Sequence, residues 1–295
     1  MHFKRIYIFG FIKTIICFKF IYGLSVIVPT NINWLMAEYH DWGGHYLGWA
    51  FYREENWSFP IGTIQNYNYP AGSNIGLTDS IPIAAVFFKI FDIFLPDDFQ
   101  YFGLWFLISH LLLTLYTIKI LQLYKVKTGL ILFSIVFISL NPTLLYRGMH
   151  PALCAHWIIL ASFYYYFKST LNYNVKPLIK HQIALLLLSA AIHPYLLVMV
   201  AVFNIILPLK CFLYKKIKLI QFVFYITTPF LLVILIWYGI GLIRFENNEA
   251  LEVHNSYGLF STNLNALLNA QGFSKFTPQL TFYKVNQYEG FSYLG

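Results

Sequence analysis

Apolar runs long enough to cross a bilayer, parted by short lysine-bearing links, constrain this chain more than any other feature. A helix needs about 20 predominantly apolar residues to span the hydrocarbon core. Inside lipid only helices or closed barrels satisfy their own backbone groups. Runs of this kind cover 100–123, 128–146, 151–167 and 219–243, and another lies between Lys180 and Lys210. Only 11% of the 295 residues are charged, against about 25% in an ordinary soluble domain. The expected fold is therefore all-α, a polytopic transmembrane helical bundle over 1–295 as a single domain.

Short cytoplasmic loops gather Lys and Arg. Lys4 with Arg5, Lys125 with Lys127, Lys168 through Lys176 to Lys180, and Lys210 through Lys215, Lys216 and Lys218 are such clusters. The formal net charge is +8. It is dispersed among these links and forms no single basic face, so nucleic acid is not an expected partner. With all four clusters in the cytoplasm the amino terminus is cytoplasmic, and two external loops follow, about 29–99 and 244–295. The first 28 residues resemble a signal peptide, but Lys13 and Lys19 interrupt the apolar run and no small-residue cleavage site follows, so a retained helix is expected. The stretch between Lys180 and Lys210 must cross twice, as two half-length segments broken at His193-Pro194-Tyr195, because proline removes a backbone donor. The run 80–95 is short for a span and holds Lys89 and Asp92, so a re-entrant or interfacial helix in the first external loop is expected. Cys17, Cys154 and Cys211 show no CxxC or Cys/His spacing and are expected to be buried thiols.

This topology puts most chemically capable side chains on one side. In the first loop stand Glu38, His40, Asp41 and His45, flanked by Trp42 and Trp49. Asp41 suits a general base, with Glu38 its competitor on one helical face, although an aspartate there can also cap a helix. His40 and His45 can relay protons or ligate a metal, but HDxxxH has no established metal geometry, and interface packing or simple hydrogen bonding is the favoured reading of both. Asp79 is a second carboxylate, as metal ligand, as acceptor of a substrate hydroxyl, or simply as a turn residue. Arg147 can clamp a phosphate or anchor a helix end. His150, His193 and Glu289 complete the set of candidate substrate contacts, while His156 inside an apolar run reads as structural. No Gly-rich phosphate loop and no GxSxG is present, which argues against ATPase and hydrolase chemistry.

Several motifs carry a resemblance. His45-Tyr46-Leu47-Gly48-Trp49 with Phe51-Tyr52-Arg53, Trp57-Ser58-Phe59-Pro60-Ile61-Gly62, Tyr69-Pro70-Ala71-Gly72, Thr78-Asp79-Ser80-Ile81-Pro82, Phe99-Gln100-Tyr101-Phe102-Gly103-Leu104-Trp105 and Gln287-Tyr288-Glu289-Gly290-Phe291 resemble a bacterial membrane family, the domain of unknown function 6311. Members of that family run on past the last motif, so the chain is expected to be truncated at its carboxyl end. The topology is in turn similar to the GT-C superfamily of polyprenyl-phosphate-dependent glycosyltransferases, which carry an acidic residue in the first external loop followed by juxtamembrane helices.

The second resemblance implies transfer of a sugar from a polyprenyl-phosphate donor to an external glycan, lipid or protein acceptor, in a bacterial inner membrane. Asp41, Glu38 and Asp79 become the catalytic candidates, and Arg147, His45, His150, His193 and Glu289 the substrate-binding ones. No cofactor is assigned; a divalent metal stays open. Asp41→Asn is expected to abolish transfer. A transporter or flippase of a lipid-linked substrate, or a noncatalytic membrane protein, is the alternative.

Overall fold

The computed structural model describes residues 2–37, 41–171, 174–243, 262–282, 287 and 290–294. It is mostly helical: α1 (His2–Tyr22), α2 (Trp42–Glu54), α3 (Pro82–Ile90), α4 (Phe102–Leu123), α5 (Thr128–Ser139), α6 (Pro142–Tyr146), α7 (Trp157–Leu171), α8 (Lys176–Ala190), α9 (Pro194–Leu213) and α10 (Leu219–Ile240). The described strands are β1 (Thr63–Ile64) and β2 (Ser73–Asn74), one short antiparallel pair within the first loop that an all-α reading did not foresee. Helix starts follow the proline rule that a first-turn residue needs no N–H donor: α3, α6, α8 and α9 each carry Pro in their first turn. Gly241, at φ 93°, ends α10 in the left-handed conformation.

Four stretches are long and apolar enough to cross a membrane, Phe102–Leu123, Thr128–Met149, Pro194–Leu213 and Leu219–Ile240. The break at His193-Pro194 is present, but α9 beyond it is 20 residues long, enough to span by itself, so the expected half-length segment is too short there. The 9-residue α3 rises only about 14 Å, under half of a hydrocarbon core, which suits an interfacial helix.

Two compact units divide the chain, 1–139 with 149–244, and 140–148 with 245–295. In the first, α4 packs on α1 and α7, and α8 packs on α9 and α10. Tyr7 in α1 donates to Gln122 near the end of α4 at 2.9 Å, while Phe18 meets His110 nearer its start, so α1 and α4 run antiparallel. Lys13, in the middle of α1, is accommodated by donating to the Leu132 carbonyl of α5 at 3.2 Å. Turns 124–127 and 214–218, the close of α7 and the start of α8 share one end. There Lys210 and Lys216 donate to the Tyr166 and Ser169 carbonyls near the end of α7, the second being one of the last four acceptors that a helix leaves open.

The opposite end is built by residues 23–101. Gln100 ties it together: its Nε2 donates to the Val26 and Val28 carbonyls at 2.8 Å each, and its Oε1 accepts the Gly103 N–H at 3.0 Å. Arg53, 7% exposed, fastens α2 to the segment after α3 through Asp92 at 2.7 Å and the Pro96 and Asp97 carbonyls. Segment 61–74 covers the last carbonyls of α10, with Ile61 N–H on Gly239, and Gly62 N–H and Asn74 Nδ2 on Ile240. In the second unit Asn141 caps α6 through the Leu144 N–H, and Ala270, Phe291 and Tyr293 form a small core with Tyr146.

Candidate functional site: an aspartate ringed by imidazoles

Asp79 stands in the turn that leads into α3, and that turn is conformationally forced. Asp79 and Ile81 have positive φ of 54° and 56° without being glycine, a geometry that persists only where surrounding contacts over-determine it. Those contacts are visible. Thr78 and Ser80 hydroxyls bond each other at 2.8 Å, Ser80 donates to the His45 carbonyl at 2.6 Å, and the buried Tyr101 hydroxyl donates to the Ser80 carbonyl. A Cβ on Gly48 would lie 2.5 Å from Thr78, so α2 approaches the turn as closely as it does because that position is glycine. The Ile83 N–H donates to Ala191 at 2.9 Å, which sets the turn beside the α8–α9 corner.

Three histidines from three other segments converge on this aspartate. His45 Nε2 (α2) is 3.7 Å and His150 Nδ1 3.4 Å from Asp79 Oδ2; His193 Nε2 is 3.9 Å from Oδ1. Both carboxylate oxygens are buried and have no hydrogen-bond partner among the described residues, an arrangement that costs free energy unless positive charge compensates it. His193 caps α9 by accepting the Tyr195 N–H on Nδ1 at 3.1 Å. Burial pushes its imidazole below the usual range, Asp79 pulls it back up, and His150 and His45 lower it further. His150 is the most open of the four, with 34% of its side chain exposed against 12% to 18% for the others.

Of the other candidates described in this unit, Asp41 is not part of the cluster. Asp41 precedes α2, exposed, one turn before His45, and its carboxylate caps no helical N–H. Arg147 is half-buried in a 3-10 turn of the second unit. Glu38, His40, Tyr288 and Glu289 lie outside the described residues. Thr78, Ser80 and Tyr101, which hold the turn, were not among the expected site residues, although all three stand in the motifs quoted above. A cavity of 540 Å³ between α4, α5 and α7 is apolar and includes Thr117 and Leu121. Thr117 is about 20 Å along α4 from Phe102, so the cavity is remote from Asp79.

The four membrane-length helices fit a multi-pass membrane protein with an acid–imidazole cluster at one end of its helices. The chain belongs to the family described as domain of unknown function (DUF6311), whose model matches residues 11–295. Neither a curated protein nor a solved structure matches it.

Proposed function

We propose that this protein is a membrane glycosyltransferase, similar to the GT-C superfamily, moving a sugar from a polyprenyl-phosphate donor to an external acceptor at the Asp79 cluster. One observation carries the reading: a buried carboxylate without a hydrogen-bond donor among the described residues faces three imidazoles at the helix ends remote from the lysine clusters. Sugar transfer needs a base for the acceptor proton and positive charge near the departing phosphate. Asp79 Oδ1 takes the proton, and the acceptor enters over His150, the most open imidazole. His193 is a positioning residue, since its Nδ1 is committed to the α9 cap. The centre is thus Asp79 in preference to the exposed Asp41.

The test is release of polyprenyl phosphate by the purified chain in liposomes, supplied with an extract of cell-envelope glycans, lipids and proteins as the acceptor and with undecaprenyl-phosphate linked in turn to glucose, mannose, galactose and aminoarabinose. Release from at least one donor supports the reading; intact donors throughout contradict it. A second reading, a transporter of a lipid-linked substrate, draws on Asn204 in α9, buried with both side-chain polar atoms unpartnered among the described residues. It predicts movement of an intact donor between leaflets.

Orientation belongs to the same proposal: a bacterial inner membrane, lysine clusters and amino terminus cytoplasmic, Asp79 external. The native cysteines are buried, so single cysteines at exposed Gln65 and Lys127 report sidedness. An impermeant maleimide on intact cells should label the first and spare the second.

A further inference from the structure

We propose that His45 Nε2, His150 Nδ1 and Asp79 Oδ2 bind one divalent transition-metal ion of borderline softness, Zn2+ or a congener such as Co2+. These three side chains offer ligand atoms that all lie within 4.8 Å of one another. Two of the separations, 3.4 and 3.7 Å to Asp79 Oδ2, approach the edge of a tetrahedron with metal–ligand bonds of about 2.0–2.1 Å, roughly 3.3 Å.

His45 is held at both ring nitrogens: Nδ1 lies 2.9 Å from the Thr78 carbonyl, and Nε2 lies 3.2 Å from the Met149 carbonyl and 3.7 Å from Asp79 Oδ2. With the Nδ1–H on the nearer Thr78 carbonyl, the Nε2 lone pair, the Met149 carbonyl and Asp79 Oδ2 converge on one cation, and the Met149 carbonyl supplies a fourth ligand atom. A ligating histidine that gives its other N–H to a backbone carbonyl is the usual way such a ring is oriented.

Ligand chemistry selects the ion. Two imidazoles and a carboxylate suit Zn2+, Co2+ or Ni2+, whereas Mg2+ and Ca2+ favour all-oxygen shells. The metal would sit on Oδ2 and leave Oδ1, which faces His193, as the basic oxygen. The site stands on coordination geometry alone, so sugar transfer can fail while the metal still binds.

The experiment uses the full chain purified in detergent, free of any polyhistidine tag, stripped with EDTA and titrated with Co2+. One equivalent should bind, with visible d–d absorption that disappears on adding Zn2+. His150→Gln, at an imidazole open enough to replace without unfolding the protein, should weaken Co2+ binding by at least about ten-fold. Asp79→Asn should do the same, and His181→Gln, on exposed α8 surface, should leave it unchanged; size exclusion checks the fold of each. Absence of saturable Co2+ binding by the wild type, or wild-type affinity in a folded His150→Gln chain, overturns the proposal.

Discussion

His193 serves two neighbours with its two nitrogens: Nδ1 accepts the Tyr195 N–H that opens α9, and Nε2 faces Asp79 Oδ1 at 3.9 Å. Capping and the acid–imidazole cluster are separable by substitution. Asn is a good cap and lacks an imidazole. His193→Asn should stay within about 0.5 kcal/mol of wild-type stability, while His193→Ala should lose about 1 kcal/mol. Both should impair transfer, and thermal denaturation in detergent beside donor turnover separates the two effects.

Asp79 is expected to be a stability liability in the metal-free protein. Its carboxylate oxygens are buried without a donor among the described residues, and its φ of 54° favours Asn as readily as Asp. In EDTA, Asp79→Asn should therefore melt at or above the wild-type temperature. A clearly lower melting temperature would show that the carboxylate supports the fold.

Arg53 holds three partners from a position 7% exposed. Arg53→Ala leaves two carbonyls and Asp92 without that cation and should cost about 2–4 kcal/mol. Arg53→Lys should recover only part of the loss, because one ammonium replaces a planar fork of donors. Denaturation midpoints of the two variants provide the check.

Two glycines should respond oppositely to alanine. A Cβ on Gly103 would lie 1.8 Å from the Val26 carbonyl oxygen, so the 26–29 turn must move; Gly103→Ala should cost at least about 1–3 kcal/mol. Gly44, inside α2, has nothing within 4 Å of that point, and Gly44→Ala should gain about 0.5–1 kcal/mol from helix propensity. Equal melting shifts would contradict the packing described.

Placement of the longest helices was legible because span length and proline position act locally, whereas the run 128–146 divides into α5 and α6 and α7 starts only at Trp157. Runs 100–123 and 219–243 return as α4 and α10, and the α8–α9 corner falls at the expected His193-Pro194 break. The short helix in 80–95 was legible for the same reason, since its length and charge rule out a span. The site was less so. His45, Asp79, His150 and His193 were each named, yet their meeting depends on the Ile83–Ala191 bond and on Gly48 beneath the 78–80 turn. No spacing rule encodes these. Local grouping favoured Asp41 with His40 and His45, whereas the contacts formed by His45 run to distant Asp79 and Met149. The small β1–β2 pair escaped notice because two-residue strands carry no period.

The central claim is that the Asp79 carboxylate, not the exposed Asp41, is the reaction centre. Its most direct test is donor turnover by wild type, Asp79→Asn and Asp41→Asn in matched liposomes with the polyprenyl-phosphate sugar that the wild type consumes. The expected result is loss of at least about 100-fold in Asp79→Asn, the scale on which a general base contributes, with Asp41→Asn near wild type. Wild-type turnover in a folded Asp79→Asn chain would contradict it.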